Sequence, residues 1–304
     1  MKRILITGGA GFIGSAVINK LQEQKSDIFV LDNLSFGNRE FINIEREKFF
    51  EVDILDCEKV NAIINEINPH KIIHLAAVHF IPYCNQHPFE SGNINIKGTL
   101  NVISAASSLR DLELFMFAST AAVYPVLDGP IKETSRLQPM DIYGLSKLAG
   151  EHLCNEFYLK SRIPTLICRF FNAFGPNETN PHLIPEIQRQ LMDGKSVIKL
   201  GNLTPKRDFI HTYDMAEAID ILLNKFKSGI EIFNLGRGIE YSVKEVVDTF
   251  EKIFGKKIEI TVESERIRKT ERMHLLADIT KLKDFTGWEP KIGIHEGIRT
   301  LLNK

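Results

Sequence analysis

Two side chains four residues apart carry the chemistry that this chain spells most plainly: Tyr143 and Lys147, in the run Tyr143-Gly144-Leu145-Ser146-Lys147. On a helix, positions i and i+4 share a face, so the phenol and the ammonium point into one pocket. A free phenol titrates at about pH 10, and a cation held beside it favours its ionised form. The pair reads as an acid/base centre.

The elements that must position this centre begin at the N-terminus. Lys2 to Thr7 has the β-branched, apolar character of a strand, and Phe12 to Leu21 shows apolar residues at helical spacing. Gly8, Gly11 and Gly14 fall between the two. Gly8 suits a tight turn, Gly11 lets the backbone approach a pyrophosphate, and Gly14 lets helix and strand pack, while the helix N-terminus offers N–H groups to phosphate oxygens. The spacing is three and three, unlike the G-x-G-x-x-G fingerprint. A second strand, Ile28-Phe29-Val30-Leu31, ends in Asp32, about 20 residues beyond the turn, where a carboxylate accepts hydrogen bonds from an adenosine ribose. Its charge would repel a 2′-phosphate, so NAD is expected rather than NADP.

At 304 residues, with 43% hydrophobic and 25% charged residues, the chain can bury a large core. Thirty-eight basic against 39 acidic residues leave a net charge of −1, which gives no reason to expect nucleic acid or a membrane surface as partner. Cys57, Cys84, Cys154 and Cys168 lack C-x-x-C spacing, and no apolar stretch has the length of a membrane span. Reduced thiols in the cytoplasm are expected.

Strand candidates Lys2 to Thr7, Asp27 to Leu31, Lys48 to Val52, Lys71 to Leu75, Leu112 to Ala118 and Pro164 to Phe170 alternate with amphipathic helices, of which Val60, Ile63, Ile64 and Ile67 mark one face. The fold class expected is α/β, a doubly wound parallel sheet (Rossmann) with a smaller C-terminal α/β substrate domain. Residues 1–171 would form the NAD-binding domain and 172–304 mainly the substrate domain, with part of 209–236 returning to the first. Ser242-Val243-Lys244-Glu245 has the form of a capping box that opens a late helix.

These motifs, taken in order, resemble a known set. Thr7 to Gly14, Asp32-Asn33-Leu34, Asp53-Ile54, His74-Leu75-Ala76-Ala77, Ser119 to Tyr124, Tyr143 to Lys147, Arg169-Phe170-Phe171-Asn172, Arg207-Asp208-Phe209-Ile210 and Gly287-Trp288-Glu289-Pro290 are similar to the extended short-chain dehydrogenase/reductases acting on nucleotide sugars, most of all the UDP-galactose 4-epimerase group. The resemblance implies bound NAD, a nucleotide-diphosphate sugar (a UDP-sugar favoured) and a homodimer built on the helices around Gly98 to Leu109 and Tyr143 to Ser161, the latter carrying Leu148, Leu153, Phe157 and Tyr158. It makes Tyr143 the general base at the sugar 4-hydroxyl, Lys147 its partner and a ligand of the nicotinamide ribose, and Thr120 a relay at the same hydroxyl. Cofactor contacts are implied for Gly8, Gly11, Phe12, Ile13 and Gly14 in the turn, and for Asp32, Asn33, Asp53 and Ile54 around the adenosine. Leu75, Ala76, Ala77, Asn95, Ser119 and Phe170 would lie along the remainder of the cofactor. Asn172, Arg207 and Arg268 occupy positions that contact the diphosphate, a task for which guanidinium groups are well shaped. After Arg268 the chain reads Lys269-Thr270-Glu271 where the family usually has Pro-Gly-Asp.

His70, His74, His79 and His87 cluster in sequence without the spacing of a helical zinc pair, and no metal is expected. Cys84 stands where the family commonly has Ser. A thiol there could donate a proton in epimerisation at another carbon, or simply fill a pocket wall. In related 4,6-dehydratases and decarboxylases the hydroxyl residue is followed by acids, whereas Thr120 is followed by Ala121 and Ala122. A 4-keto intermediate with no acid to drive elimination can rotate and recover its hydride on the other face, which is 4-epimerisation. Against this stand Gly201 to Pro205, Pro125 after Tyr124, and a short loop after Phe171, features closer to some dehydratases or departing from typical epimerases. A 4,6-dehydratase, an epimerase at another carbon and a catalytically silent NAD sensor are the alternatives.

Overall fold

The computed structural model describes residues 2–266 and 272–302. Seven parallel strands form the central sheet, ordered from one edge as Ile230–Leu235, Thr165–Phe170, Leu114–Thr120, Lys71–His74, Arg3–Thr7, Asp27–Asp32 and Phe49–Glu51. Side chains alternate across it: Ile4, Ile6, Leu114 and Met116 join the core on one face, and Leu5, Phe115 and Phe117 join the core on the other. With both faces covered, strands read as nearly unbroken apolar runs, which is why six of the seven are visible in the sequence. The strand order reverses between Arg3–Thr7 and Lys71–His74, and at such a switch point the carboxyl ends of the strands open a crevice.

The seventh strand, Ile230–Leu235, lies in the stretch expected to return to the first domain and pairs in parallel with Thr165–Phe170. The helix Thr212–Lys225 delivers it, burying Met215, Ile219 and Leu222 beside Val17 and Ile18 of the Phe12–Gln22 helix.

The helix that carries Tyr143 and Lys147 runs Ile142–Ser161. Asp141 caps it, its carboxylate accepting the Gly144 N–H at 2.7 Å, and Arg162 ends it in the left-handed region at φ +60°. Two glycines set its distance from the Leu114–Thr120 strand. A Cβ on Gly144 would stand 2.4 Å from the Ala122 carbonyl oxygen, and one on Gly150 would stand 2.3 Å from Phe117 Cζ. No larger residue allows the phenol so near the strand end.

Two expectations about the surface of this helix change. Phe157, expected at a subunit contact, is 1% exposed and belongs to the core, as does much of Leu153. The exposed apolar side chains are Leu145 and Leu159, with Leu100 on the neighbouring Thr99–Ala106 helix. Apolar residues lie all round the Ile142–Ser161 helix, so periodicity alone could not say which face meets solvent. The helix expected around Gly98 to Leu109 runs Thr99–Ala106, and the Asn93–Gly98 segment leading into it is π-helical.

Beyond Phe171 a smaller layer assembles from the three-stranded sheet Asn172–Phe174, Lys206–His211 and Glu240–Ser242 and the helices Leu183–Met192, Val243–Phe254 and Ile294–Leu302. Phe174, Ile187, Phe209, Val246, Val247, Phe250 and Ile298 form its core. The capping box is present: Ser242 Oγ accepts the Glu245 N–H, and the Glu245 carboxylate accepts the Ser242 N–H. Asp208, fully buried, ties this layer together by accepting the N–H groups of Arg237, Gly238 and Ala277 at 2.6, 2.8 and 3.1 Å.

Candidate active site

A cleft of about 1590 Å³ runs along the carboxyl ends of the strands and under the smaller layer. At one end lies the glycine turn. Gly8 adopts φ +71°, and a Cβ there would meet the Ala76 nitrogen at 2.7 Å; a Cβ on Gly14 would meet the Gly8 carbonyl oxygen at 2.3 Å. The turn therefore admits only glycine at both positions. The Phe12–Gln22 helix starts from Gly11 with no side-chain cap and no acid in its first turn, leaving its leading N–H groups and positive dipole end toward the cleft. Such an end suits a phosphate.

Asp32 sits at the next strand end, its oxygens accepting the N–H groups of Ala10 at 2.9 Å and Leu34 at 2.8 Å. Burial pushes its carboxyl upward, and those two N–H groups act against the rise. Asn33 donates to Asp53 across the cleft rim at 2.9 Å, and Asp53 also accepts the Leu55 N–H. Phe12, Ile13, Ile54, Leu75, Ala76, Ala77, Ser119 and Phe170 line the same cavity. Asn95, expected beside the cofactor, does not line it. Its amide is spent on both backbone groups of Val78 and on Ser146 Oγ, so it braces the loop after Lys71–His74 against the Ile142–Ser161 helix.

Midway along the cleft stand Thr120, Tyr143 and Lys147. Burial pushes the Tyr143 phenol well above its ordinary range, while a hydrogen bond with the Thr120 side chain pulls it back. Thr120 Oγ1 also accepts the Ala122 N–H at 3.1 Å, which fixes its rotamer. Lys147 is 2% exposed, with Nζ 4.3 Å from the centre of the Phe117 ring. Loss of water pulls its ammonium down to about 8. All three groups line the one cleft.

Ser119 lines the cleft, but its hydroxyl turns inward to Glu151 Oε1. Glu151 in turn takes a two-pronged bond from Arg169, Nε to Oε1 at 2.9 Å and Nη2 to Oε2 at 2.7 Å. Arg169 Nη1 donates to the Tyr124 hydroxyl, which donates to Asn234 Oδ1. This buried chain links the strand bearing Thr120, the helix bearing Tyr143 and two further strands. Sequence reasoning passed over Glu151, although Tyr143, Lys147 and Glu151 follow one another at intervals of four on one helical face.

Asn172 and Arg207 line the far end of the cleft, and Arg268 lies outside the described residues. Arg207 Nη1 donates to the carbonyls of Lys206 and Arg272. Arg272, which the sequence did not single out, also lines the cleft and donates to the carbonyls of Ala121 and Ala122, directly after Thr120. Cys84 is fully buried, its Sγ 3.6 Å from the Val78 carbonyl, and is absent from the cleft lining, which leaves the wall-filling role.

The four histidines separate. His70 accepts the Arg3 N–H at the opposite end of the sheet, and His87 stacks on Tyr83 at the surface. His74 is buried between Thr7 and Thr99, at 2.6 and 2.9 Å, and burial holds it neutral, down to about 3. His79 reaches the cleft wall beside Glu178 and His182. Burial lowers His79 to about 4 and raises Glu178 to about 7.

Residues 4–236 match the family model described as NAD dependent epimerase/dehydratase family. The UDP-glucose 4-epimerase of Bacillus subtilis is 32% identical over 96% of this chain and 94% of its own. The dTDP-D-glucose 4,6-dehydratase of Homo sapiens is 32% identical over 98% of this chain and 88% of its own. Among solved structures, the UDP-glucose 4-epimerase of Thermus thermophilus in complex with NAD superposes with a TM-score of 0.90 at 29% identity, covering 99% of this chain and 98% of that one.

Proposed function

The chain belongs to the NAD dependent epimerase/dehydratase family, and on that premise we propose that it inverts C4 of a nucleotide-diphosphate sugar through a transient 4-keto sugar, keeping NAD bound throughout. The observation that carries this reading is the meeting of Thr120, Tyr143 and Lys147 in one cleft with the glycine turn. The residues fit NAD: Gly8 and Gly14 leave no space for a Cβ in the turn, and the Asp32 carboxylate stands at the strand end where ribose hydroxyls would donate. When bound, NAD supplies the hydride acceptor and donor for sugar C4 and a positive charge on its oxidised ring.

Tyr143 takes the 4-hydroxyl proton and later returns it, with Thr120 relaying. Lys147 favours the phenolate and holds the nicotinamide ribose. Asn172 and Arg207, with Arg268, hold the diphosphate of a UDP-sugar. Ala121 and Ala122 after Thr120 supply no acid for elimination, which favours epimerisation over the dehydratase chemistry of the human relative. A panel of nucleotide sugars deuterated at C4, followed by proton NMR, tests the reading. The expected product has an inverted 4-hydroxyl and keeps its deuterium at C4. A 6-deoxy-4-keto product with solvent hydrogen at C5 would assign the chain to the dehydratases instead.

Denatured protein is expected to release NAD and not NADP. Asp32→Ala should weaken NAD by about 10–100-fold, the range for losing a charged hydrogen-bond partner worth about 1.5–3 kcal/mol. Because Asp32 also holds Ala10 and Leu34 through one oxygen each, Asp32→Asn serves as the companion that keeps the shape and one of these two bonds while losing the charge. Unaltered NAD affinity in both variants would remove Asp32 from the cofactor site.

Homodimerisation rests on the Ile142–Ser161 and Thr99–Ala106 helices, which expose Leu145 (52%), Leu159 (54%) and Leu100 (48%). Apolar side chains grouped on two adjacent helices suit a four-helix contact across a twofold axis. Sedimentation equilibrium should give a dimer at micromolar concentration, and Leu100→Glu combined with Leu159→Glu a monomer. A monomeric parent protein would refute the contact. We place the enzyme in the cytoplasm; its four cysteines are all unpaired.

A further inference from the structure

Three side chains on the cleft wall have no part in the reaction above: His79, from the loop after Lys71–His74, and Glu178 and His182, from the segment leading into the Leu183–Met192 helix. About 100 residues separate the first from the other two, and only the fold brings them together. One ligating atom of each lies within 4.8 Å of the other two. His182 Nε2 stands 4.0 Å from Glu178 Oε2, and the imidazole rings of His79 and His182 face each other at 5.9 Å with 29° between their planes. We propose that His79, Glu178 and His182 bind one divalent transition-metal ion of the zinc class in the wall of the cleft.

Charge supplies the first argument. The Glu178 side chain is 5% exposed, and among the described residues the cation-forming group in ion-pair reach of it is His182. A carboxylate so buried is costly unless a cation compensates it. Its remaining bonds come from neutral donors, the Asn180 N–H at 2.8 Å and the Asn180 amide. A divalent ion would neutralise the carboxylate and leave one positive charge facing the cleft.

Geometry and ligand chemistry supply the second. Two imidazoles and one carboxylate form a donor set that zinc accepts, at about 2.0–2.2 Å per bond, which puts bound ligand atoms about 3.3–3.6 Å apart. The present spread, up to 4.8 Å, closes by about 1.2–1.5 Å to reach that spacing, and the His182 side chain, 37% exposed, is the least buried of the three. The Asn180 amide nitrogen lies 3.2 Å from His79 Nε2 and donates to it, so this ring nitrogen carries no proton, and a bound ion would take its lone pair in place of the Asn180 amide. Three protein ligands leave a fourth position open toward the cleft, where an anionic oxygen of its occupant completes the coordination. The site stands independently of the reaction proposed above.

The test uses the full chain after chelator treatment. Titration with Co²⁺, followed by ligand-field absorption, and with Zn²⁺, followed by calorimetry, should give one ion per chain. His79→Ala, His182→Ala and Glu178→Gln should each weaken binding beyond the ~10–100-fold typical of losing a mere outer partner of a metal site. Should a variant melt early, ¹⁵N-histidine NMR of the parent protein decides: Zn²⁺ should shift two of the nine imidazoles, those assigned to His79 and His182. Absence of saturable uptake by the parent protein overturns the proposal. So does uptake unchanged in the His79→Ala/His182→Ala protein, which places the ion elsewhere.

Discussion

Tyr143→Phe is expected to cut turnover by about 10²–10⁴-fold, the scale for losing general acid–base catalysis, with nucleotide-sugar binding almost unchanged. The substitution keeps the ring and its packing and removes only the phenol oxygen beside Thr120. The pH profile adds a second readout. Burial holds the phenol above its ordinary range, and the base acts unprotonated, so kcat/KM of the parent enzyme should climb with pH. In the chain alone, Lys147 loses its proton at about 8, before the phenol does, so phenolate beside ammonium is the minor arrangement. A cation bound next to the phenol favours its ionised form. The climb should vanish in the Phe protein. A Phe variant with full activity would move the base elsewhere.

The parts of this site legible in the sequence share a physical cause: each is local. Strand, glycine turn and helix lie within residues 3–22, and Tyr143 and Lys147 lie one helical turn apart, so spacing alone carries the geometry. Asp32 was legible because a strand end fixes where its carboxylate must be. What was missed depends on contacts between distant segments. A Glu and an Arg in a sequence are by default solvated charges, and nothing local marks Glu151 and Arg169 as a buried pair. The same holds for Arg272, which reaches back about 150 residues to the Ala121 and Ala122 carbonyls. Asn95 shows a subtler gap: its type was placed in the right neighbourhood, yet its amide serves the loop wall.

Arg169→Met should produce the largest loss of stability, about 3–5 kcal/mol, read as a lower urea midpoint with an unchanged slope. The guanidinium is 1% exposed and pairs with a Glu151 side chain that is 6% exposed, so truncating it strands a carboxylate in the core. Glu151→Gln should be costly for the converse reason. The double substitution Arg169→Met/Glu151→Gln removes both charges, and the cost of an unpaired ion disappears with them. It should therefore be more stable than either single variant, a coupling that additive effects cannot give. Activity separates support from position. Glu151 joins Ser119, the neighbour of Thr120, to the helix of Tyr143, so the pair sets how the relay hydroxyl meets the phenol. If that is its role, the double variant regains stability without regaining turnover, because a displacement of about 1 Å at reacting groups costs about 10²-fold. Turnover that recovers along with stability would reduce the ion pair to a structural brace and leave the Thr120–Tyr143 geometry to the two glycines, Gly144 and Gly150, that seat the helix on the strand.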